Sequence, residues 1–242
     1  MCDAKEEIKL TLKALARNNF DSLNVETMEE AKDALIGMIP PAASIGIGDS
    51  TTLKQIDIVN DLIRDGFEVV NPFIPELMRD IRQNPVTLRK FMDVAKVALR
   101  TDVFLTGCNA VTKDGKIVSI DYTGNRVVGT IFGVPKAILV VGRNKIVNDI
   151  DEAIYRIKNV IAPAHAKQRR RNTPCAKTGK CTDCNSRDRI CNVTVTLEKK
   201  PSYTDISIII INQDLGLSWD LSWDRERINK IKFYYQTAPA FL

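Results

Sequence analysis

Pro135-Lys136-Ala137-Ile138-Leu139-Val140-Val141-Gly142-Arg143-Asn144-Lys145 runs through five consecutive apolar residues and stops at a glycine followed by polar side chains. A strand with one face in water alternates apolar and polar positions. This one does not, so it reads as a strand covered on both faces, as in a parallel sheet. Helical periodicity flanks it, over residues 124–132 before and 148–160 after. The same rhythm extends upstream. Residues 44–48 read as a buried strand, 51–65 as a helix ended by Gly66, and 67–71 as a strand. Residues 75–100 read as helix broken near Asn84-Pro85, and 102–106 as a further strand. Residues 115–121 read as a hairpin strand after the Lys113-Asp114-Gly115 turn. Two helices open the chain. Residues 3–18 carry an apolar stripe. The second follows the Thr27-Met28-Glu29-Glu30 capping pattern and is stopped by Pro40-Pro41. Strands over residues 193–198 and 205–211 close the pattern. The expectation is an α/β domain over residues 1–217 with a mostly parallel sheet covered by helices on both faces. The tail, 218–242, holds both tryptophans and Tyr234-Tyr235 and fits no element by pattern.

Residues 163–192 interrupt this rhythm. They carry Cys175, Cys181, Cys184 and Cys191, spaced C-x5-C-x2-C-x6-C, and read as a cysteine-rich insert. Four thiolates can close a tetrahedral zinc site or hold a four-iron cluster. Between residues 166 and 200 there are ten Lys/Arg against three Asp/Glu, while the whole chain carries only +5. Cations of that density offset a negative thiolate centre and lower thiol pKa values. Charge gathered beside cysteines, not spread over a face, argues against nucleic acid. Only Cys181 and Cys184 form a CxxC pair, which tips the choice toward iron–sulfur over zinc.

Hydrophobic residues make up 44% of the 242 and charged residues 27%, an ordinary globular balance. No apolar run reaches the roughly twenty residues of a membrane span. Met1-Cys2-Asp3-Ala4-Lys5-Glu6-Glu7 has no apolar signal core, so a cytoplasmic location is expected. Six cysteines in such a compartment argue for metal or redox use over disulfides.

Ligands of an open parallel sheet bind beyond the carboxyl ends of its strands. Gly46, Gly48, Asp49, Ser50 and Thr51 stand where the first core strand turns into a helix. They either admit a ligand to the backbone or simply form the turn and cap the helix. Thr106 and Asn109 end the next long strand. Thr123, Gly124, Asn125 and Arg126 end the hairpin strand, and Arg143 and Asn144 follow the run quoted first. Amide and guanidinium groups there suit a small carboxylate or phosphate. Cys108 reads as an inert buried thiol. His165, the only histidine, reads as a linker residue in preference to a spare ligand or a base.

The ordered series Asp102 to Gly115, Thr123-Gly124-Asn125-Arg126, Val141 to Lys145 and Asp214-Leu215-Gly216-Leu217 resembles the lactate-utilisation (LUD) domain family over about residues 5–217. That resemblance implies the Rossmann-like fold shared by sugar-phosphate isomerases and CoA transferases. The loop at residues 46–52 would be the substrate-binding turn, and the turns at 106–110 and 123–126 would line the same cleft. It implies lactate or small-carboxylate metabolism beside iron–sulfur electron-transfer subunits. The aromatic tail, which can pack on the sheet or on a second subunit, adds a homo-oligomer as an expectation. Thr173-Pro174-Cys175-Ala176-Lys177-Thr178-Gly179-Lys180-Cys181 is similar to a four-cysteine subgroup. The competing expectation is an isomerase- or CoA-transferase-like enzyme with a structural zinc.

Overall fold

Isoleucine fills five of the seven positions of Asp205–Ile211, and all five are buried. β-Branched side chains suit a pleated strand, and successive ones point to opposite faces. Ile209 and Ile211 accordingly enter one core cluster, while Ile206, Ile208 and Ile210 enter another. This strand therefore has protein on both sides, and the rest of the fold is arranged around it.

The computed structural model describes residues 4–238; Met1 to Asp3 and the last four residues of the tail lie outside the described residues. Chain order gives α1 (Ala4–Arg17), β1 (Asp21–Val25), α2 (Met28–Gly37), β2 (Ile45–Ile47), α3 (Thr51–Gln55), α4 (Ile58–Arg64) and β3 (Val69–Val70). There follow α5 (Pro75–Met78), α6 (Pro85–Ala98), β4 (Val103–Thr106), β5 (Ala110–Thr112), β6 (Ile117–Asp121), α7 (Asn125–Ile131) and β7 (Lys136–Gly142). The remainder is β8 (Ile146–Val147), α8 (Ile150–Arg156), α9 (Ala162–Gln168), α10 (Pro174–Thr178), β9 (Val193–Leu197), β10 (Asp205–Ile211) and α11 (Arg225–Thr237).

Six strands form one sheet in the order β1-β10-β7-β4-β2-β3, and every neighbouring pair is parallel. The fold is a Rossmann-like α/β architecture. One face of the sheet packs under α2, α3, α4 and α6 through Leu35, Leu53, Leu62 and Phe91. The other face, with Phe104, Leu139 and Ile208, meets α1 and a second sheet. That sheet has the order β8-β5-β6-β9, in which the β5–β6 hairpin gains β9 antiparallel and β8 parallel. A third core lies beyond it, where Ala110, Val118 and Ile120 pack with Ile157, Trp219, Ile231 and Tyr235. No described helix is long and apolar enough to cross a membrane.

Three features differ from the sequence pattern. β1, Asp-Ser-Leu-Asn-Val, is an edge strand with no fully buried residue, so it lacks the apolar run that marks the others. β9 alternates Val and Thr, the period of a strand with one wet face, and it joins the second sheet in place of the first. The helix expected over residues 51–65 is two, because Asp57 takes a left-handed backbone with φ 53° between α3 and α4. The tail contributes α11, capped by the Asp224 side chain, which accepts a hydrogen bond from Arg227 N at 2.8 Å.

Candidate functional site

The carboxyl ends of β2, β3, β4, β6, β7 and β10 open into one cavity of about 520 Å³. Each turn contributes to it: Asp49, Ser50 and Thr51 after β2, Phe73 after β3, Asn109 after β4, Thr123, Asn125 and Arg126 after β6, Lys145 after β7, and Leu217 after β10. Sheet geometry explains the convergence of β2, β3, β4, β7 and β10, since parallel strands release their following loops on one edge; β6 comes from the second sheet. The opposite wall comes from residues 169–191 and includes Arg169, Arg171, Asp188, Ile190 and Cys191. The cysteine-rich segment is thus a lid wall of the cavity and not a remote appendage. It is tied down by Asn192 N to Asp121 O at 2.9 Å and by the two bonds of Arg82 to Asp188 at 2.8 Å.

Between α8 and α9 the chain makes a π-helical turn, Ile157–Ile161. Such single wide turns shift the facing of all later side chains, and they recur at functional sites. Here Ile157, Ile161 and His165 all face the cavity. His165 Nδ1 hydrogen-bonds the Tyr235 hydroxyl of α11. Burial, then the nearby Arg169 charge, hold His165 down to about 4, against the opposing pull of Asp49. Its imidazole is therefore neutral near pH 7, a competent proton acceptor or donor. Burial also raises the Tyr235 phenol above its usual value.

Arg126 is the clamp of the strand ends. Its guanidinium donates to Gly107 O at 3.0 Å, Asn109 Oδ1 at 3.0 Å and Ile120 O at 2.9 Å. Asn109 Oδ1 in turn accepts from Ile120 N at 2.9 Å. β4 and β6 belong to different sheets, and this one side chain joins their ends. Replacing Arg126 by alanine is expected to lower stability by about 3 kcal/mol, since hydrogen bonds to a charged group contribute about 1.5–3 kcal/mol each and the freed acceptors regain water in part. Arg126→Lys recovers little of it, because one ammonium cannot span three acceptors. Urea denaturation of the two variants measures both.

Asp49 is held by Lys54 at 2.9 Å and Arg169 at 3.4 Å. Burial opposes its ionisation, but these two cations keep its carboxyl well below the usual range. Ser50 is the N-cap of α3, its hydroxyl accepting from Leu53 N at 3.3 Å, so capping and a place on the cavity wall coincide in one residue. The Thr123 hydroxyl bonds Asn125 Oδ1, and both residues line the cavity.

Other expected residues stand behind the wall. A Cβ on Gly46 would lie 2.1 Å from Ala98 O, and one on Gly48 would lie 2.6 Å from Thr106 Oγ1. These glycines allow helix and strand backbones to close on β2, and neither they nor Thr106 line the cavity. Gly124 supplies the left-handed φ of 90° before α7. Arg143 turns away to pair with Asp214 at 3.1 Å. Asn144 is fully buried, donating to Ser218 O at 2.9 Å and accepting from Leu215 N at 3.0 Å. The residue after it, Lys145, reaches the cavity instead. Its ammonium donates to Cys108 O at 2.9 Å and lies 3.3 Å from the Thr52 hydroxyl. Burial, partly countered by Cys108 and reinforced by Arg126, brings Lys145 down to about 8. Cys108 is buried beside it, and burial raises its thiol. Lys145 closes the Val141 to Lys145 motif, in which Arg143 and Asn144 were the expected binding residues, and His165 and Tyr235 lie in no motif. Their signals were a lysine three residues past the end of β7, a solitary histidine and an aromatic tail.

The four cysteines of the segment are free and half-buried. Burial raises the Cys191 thiol, Arg189 opposes it, and the charges of Cys181, Cys175 and Cys184 add to the rise. Arg189 gathers their loops, donating to Cys184 O at 2.6 Å, Cys191 O at 3.1 Å and Asp183 Oδ1 at 2.8 Å. Asp183 N donates to Cys181 Sγ at 3.5 Å. Among the described residues no group of three or more His, Cys, Asp or Glu is arranged to hold a metal ion. The donor set itself, four uncombined thiols with the Arg189 guanidinium bonded to the carbonyls of Cys184 and Cys191, suits a thiolate-held cluster in chemistry and charge.

Compared with known proteins, the chain matches a family model described as the LUD domain over residues 8–211. No curated protein matches it. Among solved structures it is similar to the crystal structure of a DUF162 family protein from Deinococcus radiodurans at 1.70 Å resolution. Identity is 13%, coverage is 88% of this chain and 100% of that chain, and the TM-score is 0.47.

Proposed function

Since this chain belongs to the LUD domain family, we propose that it serves lactate or small-carboxylate metabolism, binding its carboxylate in the strand-end cavity beside an iron–sulfur cluster on Cys175, Cys181, Cys184 and Cys191. The observation that carries this reading is that Cys191 lines the same cavity as Asn109, Asn125 and Lys145. A cluster held there would accept or supply single electrons within reach of the bound acid. The residues of the chain do the rest. Lys145 and the turn amides hold the ligand, and His165 with Tyr235 can move a proton at its edge. Apolar side chains of α6 and the segment 169–191 wall the cavity. The four-cysteine segment marks the subgroup of the family, and a separate electron-transfer protein is the partner this chemistry asks for. Unpaired thiols of this number belong to a reducing compartment such as the cytoplasm.

Anaerobic purification tests the cofactor. A brown protein absorbing near 400 nm, with about four iron atoms per chain, is expected. Serine at any of the four cysteine positions should remove most of that iron. A colourless protein with stoichiometric zinc would end the cluster reading and favour an isomerase- or transferase-like enzyme with a structural zinc.

A further inference from the structure

The cations of the cavity wall are not equivalent. Arg169 pairs with Asp49, Arg82 and Arg171 with Asp188, and Arg126 lies 4.0 Å from Asp121. Lys145 is different. Its bonded partners among the described residues are a carbonyl and a hydroxyl, both neutral, although the residue is only 6% exposed. Gly216 closes over it with φ 73°; a Cβ there would lie 2.8 Å from Lys145 Cε. A buried ammonium without a carboxylate is costly unless an anion arrives.

A second, independent observation concerns the rest of the volume. A three-carbon hydroxy acid has six heavy atoms. At roughly 30 Å³ each, a water molecule's share of the liquid, it would fill about a third of the 520 Å³ present. Part of the remaining wall is apolar, apart from the charged stretch that holds Arg82, Arg169, Arg171 and Asp188. Phe73, Met78, Ile81, Phe91 and Met92 line the apolar part, and Met92 is 40% exposed.

We propose that Lys145 is the seat of the ligand's carboxylate and that the cavity takes a 2-hydroxy or 2-oxo acid whose side chain is much bulkier than methyl, laid against Phe73, Met78, Ile81, Phe91 and Met92. This rests on the reading of the cavity as a carboxylate site and names its substrate class. The charged or titratable groups facing Lys145 are Cys108, whose thiol burial keeps protonated, and the Arg126 guanidinium. Lys145, at about 8, thus sets the pH response. Binding of an acid is level below that pH and falls up to about tenfold per unit above it as the ammonium is lost.

Calorimetry on the full chain, purified anaerobically, tests this with L-lactate, 3-phenyllactate and the neutral 3-phenyllactamide. Phenyllactate should bind at least about tenfold tighter than lactate through burial of its ring. The amide should give no signal, and Lys145→Met should weaken phenyllactate by about a hundredfold. Should Lys145→Met fail to fold, the acid–amide comparison and the pH profile of the unaltered protein decide alone. Equal binding of acid and amide, or an unchanged affinity in a folded Lys145→Met, overturns the carboxylate seat. Lactate binding as tightly as phenyllactate overturns the bulky side chain. If neither acid binds, the carboxylate reading of the cavity falls as well, a result distinct from acid binding that ignores Lys145.

Discussion

The Gly46→Ala protein is expected to lose at least about 3 kcal/mol of stability, the upper part of the range for forcing atoms into a packed core. The added methyl would lie 2.1 Å from Ala98 O and 2.7 Å from Thr101 Oγ1. Neither neighbour can retreat. Ala98 ends α6, and the Thr101 hydroxyl is shared between Ala98 O at 2.9 Å and Val103 O at 3.0 Å. β2 cannot retreat either, because it is paired with β3 on one side and β4 on the other. Gly37→Ala is the control. It stands at the end of α2 with nothing within 4 Å of its Cβ, and it should gain about 0.5 kcal/mol from a less flexible unfolded chain. Urea denaturation separates the two. A Gly46→Ala protein as stable as the parent would contradict the close approach of α6 to β2.

Stability should also fall as the pH drops from about 6.5 to about 4, by roughly 3 kcal/mol on account of His165. The folded protein holds this imidazole at about 4, through burial first and then Arg169, Lys54 and Arg171, with Asp49 opposing. The unfolded chain releases its proton near 6.5. Between those values the unfolded state binds a proton that the folded state refuses, so acid favours unfolding, and the loss is complete below the folded value. Asp49, Asp61 and Asp214 are held below their ordinary values, and their contributions disappear only in stronger acid. Since His165 is the only histidine, the window from 6.5 to 4 reports chiefly on it. Between pH 7 and pH 5 the parent should lose about 2 kcal/mol, and His165→Gln less than about 0.5 kcal/mol. Equal stability of the parent at both values would mean that His165 is open to solvent.

Much of the fold was legible because it rests on short-range patterns. Short β-branched apolar stretches such as those in Lys136–Gly142 and Asp205–Ile211 read as strands buried on two faces, and both are central neighbours in the parallel sheet. β1 was invisible because an edge strand needs no apolar run, and pairing with β10 supplies what its own side chains do not. The cavity turns could be found since glycine and amide residues cluster after strands. Their division of labour could not. Whether Asn144 or Lys145 faces a ligand depends on the local turn of Arg143–Lys145, which also points Arg143 at Asp214. Gly46 and Gly48 look like ligand-approach glycines in one dimension, and in three they accommodate Ala98 and Thr106. His165 and Tyr235 are seventy positions apart and meet only because α11 folds back over α9. The cysteine spacing spoke of a metal centre, and it could not say that Cys191 shares a cavity with the strand ends.

Titrating the anaerobically purified protein with 3-phenyllactate, while following visible absorbance and electron paramagnetic resonance of the reduced form, asks directly whether cavity and cysteines act as one site. The expected result is a saturable change in the cluster spectrum that tracks the calorimetric binding curve and is absent in Lys145→Met. A cluster spectrum unmoved while the acid binds to saturation, or a protein that carries no iron under these conditions, would contradict it.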